Sequence, residues 1–169
     1  QNTNGTRFNM AEIICDEVIE RAIRLGALED VTVKELKECL SVYDAYHKSL
    51  EEKVTNCLNK YGKCIVLDCH SFHDKIDYTD FDPCSFPDVC IGVNGEVSSE
   101  AQLIIDTFKS NGYSVKVNEP FSDSLVPIKY LNDSRVVSVM IELNRRIYDN
   151  SSFDKVQTIC KEIFEKLNT

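Results

Sequence analysis

The sequence predicts a layered α/β fold, a mixed sheet flanked by helices. Three observations carry that prediction. Long segments with helical apolar spacing alternate with short runs that are apolar throughout. One of these runs, Cys64–Leu67, has the pattern of a strand buried on both faces, and Val136–Leu143 is the most hydrophobic strand candidate. Capping and turn residues stand at the joints between the two kinds of segment.

Taken in order, Arg7 to Leu25 shows helical spacing through Phe8, Ile13, Ile14, Val18, Ile19, Ala22 and Ile23, and Gly26 is a plausible stop. Thr32 and Glu35 form a Thr-x-x-Glu capping box. A long helix should follow to about Lys60, with Leu36, Leu40, Tyr43, Tyr46, Leu50, Val54 and Leu58 on its apolar side. Cys64–Leu67 is then a strand that runs directly into Asp68, Cys69, His70 and Ser71. Residues 72–87 read as a long polar loop, and Asp88–Val93 as the next strand. Ser98 or Ser99 caps a helix that Gly112 closes near Asn111. Tyr113–Val117 is a third strand and residues 118–130 a second long loop with Pro120 and Pro127. Val136–Leu143 is the most hydrophobic strand, and a helix from Ser151 or Ser152 to Leu167 completes the chain.

The length of 169 residues suits a single domain with a proper core. Gln1–Thr6 read like an interior loop, so an N-terminal piece is expected to be missing. The formal net charge of −9 repels phosphate backbones and argues against nucleic acid as a partner. No apolar run approaches a membrane span and no signal peptide is visible. The eight cysteines include no Cys-x-x-Cys pair and mostly fall in amphipathic helices or strands, which suits reduced thiols in the cytoplasm. Cys84 and Cys90 flank a proline-containing loop and are the pair to test for bridging.

Ligands in open α/β sheets bind outside the C-terminal ends of strands. Three polar clusters fall at such ends: Asp68 to Ser71, Asn118 with its loop, and Glu142 with Asn144 and Arg145. A histidine just past a buried strand, like His70, projects its ring into the crevice, and neutral imidazole is a good zinc ligand. Asp68 or a neighbouring carbonyl could orient the ring. The competing reading of His70 is a hydrogen-bonded structural residue. Glu142 closes an otherwise apolar strand, where a carboxylate is costly unless paired or functional. Desolvation would raise its pKa toward that of a general base; the alternative is an ion pair with Arg145 or Arg146. Tyr46 and His47 read as packed on the inner face of the long helix, and His73 as a loop residue.

Five pieces in order carry a family resemblance. They are Tyr43 to Leu50 (with Tyr46-His47), Ile65 to Ser71, Pro87 to Gly92, Gly112 to Phe121 (with Asn118-Glu-Pro120), and Ile141 to Tyr148 (with Glu142-Leu-Asn144-Arg145). Together they resemble the N-formylglutamate amidohydrolase family over roughly residues 43–148. The resemblance implies a zinc-carboxypeptidase-like fold and hydrolysis of the amide of a small anionic N-acyl amino acid or peptide. It implies that His70 is a zinc ligand and that Glu142 activates the water and later protonates the leaving amine. It implies that Asn144 and Arg145 hold the substrate carboxylate, and that Asn118 and Ser71 contribute to substrate binding. The family's other two zinc ligands, a His and an acidic residue, lie in an N-terminal segment that this sequence does not show. The family's Gly-rich loop is here Ser122 to Pro127, which implies a different acyl group or amino acid. A relative with the fold but without catalysis, acting as a binding module, is the alternative these departures leave.

Overall fold

The structure is a computed structural model and describes residues 33–73, 86–148 and 153–168. The predicted helix at Arg7–Leu25, most of the loop after Phe72 and the start of the last helix lie outside those residues. The chain divides into two compact units.

The first unit contains helix α1 (Val33–Tyr61) and the segment Pro127–Leu131. Val54 and Leu58, on the predicted apolar side, are buried. The Thr55 hydroxyl lies 2.6 Å from the phenol oxygen of Tyr130, and Lys129 pairs with Glu51 at 3.4 Å. The inner-face expectation for Tyr46 is corrected: its side chain is more than half exposed. His47 stacks between Tyr43 and Tyr46, with ring centroids 4.0 and 5.4 Å away.

The second unit holds a four-stranded sheet in the order β1-β4-β2-β3, built from β1 (Cys64–Phe72), β2 (Val89–Val93), β3 (Val115–Val117) and β4 (Val136–Asn144). Strands β1 and β4 run parallel in a register extending from Cys64 opposite Val136 to Phe72 opposite Asn144. Strand β2 pairs antiparallel with β4, and β3 parallel with β2, so the sheet is mixed as predicted. Residues rich in Val and Ile suit a pleated strand with both faces covered. Helix α2 (Ser99–Ser110) starts at the Ser98 hydroxyl, which accepts the Ala101 N–H. It ends at Gly112, whose φ of +87° needs a residue without a Cβ. Helix α3 (Phe153–Leu167) buries Val156, Ile159 and Ile163.

Side chains alternate across a sheet, and the two faces here have different lives. One face carries Val89, Ile91 and Val93 of β2 with Val139 and Ile141 of β4. These pack with Ala101, Ile104, Ile105 and Phe108 of α2 and the buried residues of α3 into the main core. The other face carries Asp68, His70 and Phe72 of β1, Ser138, Met140, Glu142 and Asn144 of β4, and Cys90 and Gly92 of β2.

Candidate functional site

Strand β1 is longer than the sequence suggested. Asp68, Cys69, His70 and Ser71 are its last residues before Phe72 and do not form a loop. The extension holds because β4 continues beside it as far as Asn144. The consequence is exact pairing of the two sharpest residues: His70 lies opposite Glu142 across the parallel pair. Neighbouring strands are about 4.8 Å apart, so both side chains rise side by side from the same face.

Glu142 is 8 % exposed, and its Oε2 has no hydrogen-bond partner among the described residues. Burial pushes its carboxyl pKa up; His70 pulls it down, and the charge of Asp68 pushes it up again. The ion-pair alternative is answered for Arg146. Its guanidinium donates to Asp88 Oδ1 at 3.0 Å and to the Phe86 carbonyl at 2.8 Å. Asp88 in turn accepts the Ser114 N–H and hydroxyl through Oδ2, each at 2.8 Å. Arg146 therefore ties β4 to β2 and β3. Arg145 is exposed, in a 3-10 turn (Arg145–Ile147) directly after β4.

His70 is half exposed at its side chain, and its Nε2 lies 2.6 Å from Asp68 Oδ1. Asp68 is the orienting group of the two the sequence left open. Its Oδ2 accepts the Leu125 N–H at 3.3 Å. That N–H belongs to a strap, residues 121–126, which crosses this face of the sheet. Phe121 O accepts from the Cys90 thiol at 3.1 Å. Asp123 O sits over Gly92, where a Cβ would come within 2.1 Å of it. Ser124 Oγ meets Ser138 Oγ at 2.6 Å, and the Ser138 hydroxyl donates to Leu125 O at 2.8 Å. Asn94 fastens Ser124 from both sides of its peptide, at 2.8 and 3.1 Å. Phe121 of the strap packs against Phe72, Phe86 and Cys90 in a small apolar cluster. The sequence reading named this loop, Gly92 and Cys90 but not the contacts they make here, because each acts through a partner far away in the chain.

The remaining predicted residues are not drawn into the same place. Asn118 directly follows β3, which lies two strands from β4 in the sheet. Strands β2 and β3 run opposite to β4: Val117 at the end of β3 lies level with Ile91, which faces Ile141, one residue before Glu142, and Asn118 is the next residue after Val117. Its amide bonds the Val93 N–H and carbonyl at 2.9 and 3.2 Å, closing the turn into the strap. Asn144 is fully buried. Its amide donates to Pro87 O at 3.3 Å and accepts the Arg146 N–H at 3.2 Å, which sets the turn that carries Arg145. Ser71 alternates to the face opposite His70. Cys69 shares that face and is exposed; Cys64 is buried. Cys90 is a free thiol, whereas Cys84 lies outside the described residues.

A zinc site needs about three protein ligands. Among the described residues no three His, Cys, Asp or Glu side chains stand together as a metal-binding group. What these residues offer is a nitrogen ligand with a fixed ring and an orphaned carboxylate beside it, which are the right donors for part of such a centre.

Fold and site thus define a layered α/β protein with a histidine and a buried glutamate paired at the ends of two parallel strands. The N-formylglutamate amidohydrolase family model matches residues 12–149, and the chain belongs to that family. It is similar to the crystal structure of N-formylglutamate amidohydrolase from Ralstonia eutropha JMP134, with a TM-score of 0.68 and 21% identity over 81% of this chain and 55% of that one. It is also similar to a gene product of Agrobacterium tumefaciens, with a TM-score of 0.56 and 16% identity over 82% of this chain and 56% of that one. These two likenesses establish the fold; the chain spans about half the length of each structure. A comparison with curated proteins finds no match.

Proposed function

We propose that the protein is a zinc-dependent amidohydrolase that cleaves a small anionic N-acyl amino acid, of the N-formylglutamate kind. The observation that carries this reading is the buried Glu142 oxygen, without a partner among the described residues and set beside an oriented imidazole. An orphaned buried carboxylate costs stability, and the cost is accounted for if the free oxygen awaits water. Family membership supplies the reaction class.

His70 would be one zinc ligand, with the others coming from outside the described residues. A bound zinc ion would polarise the scissile carbonyl and lower the pKa of the attacking water. The chain's own part is proton management. Glu142, its basicity raised by burial, accepts a proton from water as the oxygen attacks the amide carbonyl carbon. It returns that proton to the amine nitrogen as the carbon–nitrogen bond breaks. The products are a carboxylic acid and an amino acid. Arg145, exposed at the end of β4, is suited to the substrate carboxylate through its guanidinium fork. Asn144 serves by holding the Arg145 turn, and Asn118 by holding the strap.

The cysteines, with no Cys-x-x-Cys pair in the sequence, support placing the protein in the reducing cytoplasm. Among the described residues no helix is long and apolar enough to cross a membrane. The net charge of −9 supports a small molecule rather than nucleic acid as partner.

The deciding experiment is elemental zinc analysis of the parent and of His70→Ala, followed by hydrolysis assays on a panel of N-formyl and N-acetyl amino acids. About one zinc per chain, lost in His70→Ala, together with amide cleavage, upholds the reading. A chain that holds no zinc and cleaves nothing removes it, and leaves a binding module on the same fold.

A further inference from the structure

We propose that Asp68 is the positioning residue for His70, selecting the tautomer with its proton on Nε2, and that the strap keeps Asp68 in place through the Leu125 N–H. The part concerning metal rests on the proposed function; the tautomer does not.

An ionised carboxylate only accepts hydrogen bonds. With Asp68 Oδ1 at 2.6 Å, the short separation typical of a hydrogen bond to a charged acceptor, Nε2 must carry the hydrogen. In a neutral imidazole that leaves the lone pair on Nδ1, which becomes the nitrogen free to bind a metal. His70 needs such a clamp because half its side-chain surface is open to solvent and little packing limits its rotamers. Asp68 is better held, being 19% exposed at its side chain and bonded through both oxygens.

The second bond connects this clamp to distant residues. Leu125 lies 57 positions from Asp68 in the chain. Its peptide is kept on the sheet by Ser138, whose hydroxyl holds both Leu125 O and Ser124 Oγ. A chain of contacts thus runs from Ser138 through the strap to Asp68 and on to His70. Ser138 lies four pairs below His70 in the β1–β4 register, opposite Val66 rather than in the site. The strap that covers this face therefore also sets the geometry of the imidazole.

The test reads the nitrogens directly. In the metal-free, 15N-labelled chain at a pH where imidazole is neutral, long-range 15N–1H spectra report which ring nitrogen is protonated. His70 is picked out from the three histidines by the signals lost in His70→Ala. The parent should show His70 protonated on Nε2. In Asp68→Asn the carboxamide N–H can donate to Nε2 while its oxygen still accepts from Leu125, so the proton should move to Nδ1. Zinc affinity should then fall about 10–100-fold with the circular dichroism spectrum unchanged. Ser138→Ala should give a mixture of tautomers. A parent protonated on Nδ1, or a tautomer unmoved in both Asp68→Asn and Asp68→Ala, overturns the assignment. A Ser138→Ala spectrum identical to the parent's overturns the role of the strap. Zinc binding indifferent to His70→Ala defeats the proposed function, while the nitrogen shifts still decide the positioning role.

Discussion

Gly92→Ala is the most informative single perturbation of this fold. The added methyl carbon would lie 2.1 Å from Asp123 O, 2.5 Å from the terminal methyl of Met140 and 3.0 Å from Met140 Cβ. The Met140 side chain can turn away, but the first contact is with backbone. Reaching an ordinary separation of 3.4 Å requires the strap to rise by about 1 Å. At that displacement the Ser124–Ser138 and Ser138–Leu125 hydrogen bonds, now 2.6 and 2.8 Å, pass beyond useful length. Overpacking typically costs about 1–3 kcal/mol, and each neutral hydrogen bond lost adds about 1 kcal/mol. The expected loss is therefore about 3–5 kcal/mol, read as a lowered urea midpoint with an unchanged m-value. Because Leu125 moves with the strap, His70-dependent zinc binding should weaken as well. A variant within about 0.5 kcal/mol of the parent would show that the strap does not rest on Gly92, and the contact chain to Asp68 would lose its foundation.

The other expectations concern the charges at the site. Glu142→Gln should lower kcat on any amide substrate by about 100- to 10,000-fold. Glu142 binds its proton more tightly in the folded state than in the unfolded chain, so this stabilising contribution is full below the ordinary glutamate range and lost as pH rises through the raised value. Glu142→Gln does not titrate, and denaturation series should find it gaining on the parent as pH rises to neutrality. Arg145→Ala should raise KM for a carboxylate-bearing substrate about 10- to 100-fold with little change in thermal stability, since the residue is exposed. At Asp88 burial pushes the pKa up, but Ser114 and Arg146 outweigh it and hold the carboxyl below the usual value. Its stabilising effect is full above the ordinary aspartate range and lost as pH falls through the lowered one. Asp88→Asn should therefore be less stable at neutral pH, by about 1–2 kcal/mol in chemical denaturation, with the difference closing in acid.

Much of this protein was legible in its sequence, because the signals involved are local. Apolar runs without alternation marked β1 and β4, and Ser98 and Gly112 marked the ends of α2. A histidine and a glutamate at the ends of two buried strands named the two residues to watch, and the ordered motifs from Tyr43 to Tyr148 named the family that the comparison also finds. What the sequence could not decide was pairing. Strand direction depends on how connections cross the sheet; the antiparallel placement of β2 set Asn118 at the end of β3, two strands from β4, and a period of two sent Ser71 to the opposite face. Arg145 and Arg146 are adjacent and alike in sequence. Only the tertiary structure gave Arg146 to Asp88 and left Glu142 with an unbonded oxygen. The choice between Asp68 and a carbonyl as the partner of His70 was likewise settled by a contact. Leu125 takes part through its peptide N–H, a group every residue but proline possesses, so no side-chain pattern could announce it.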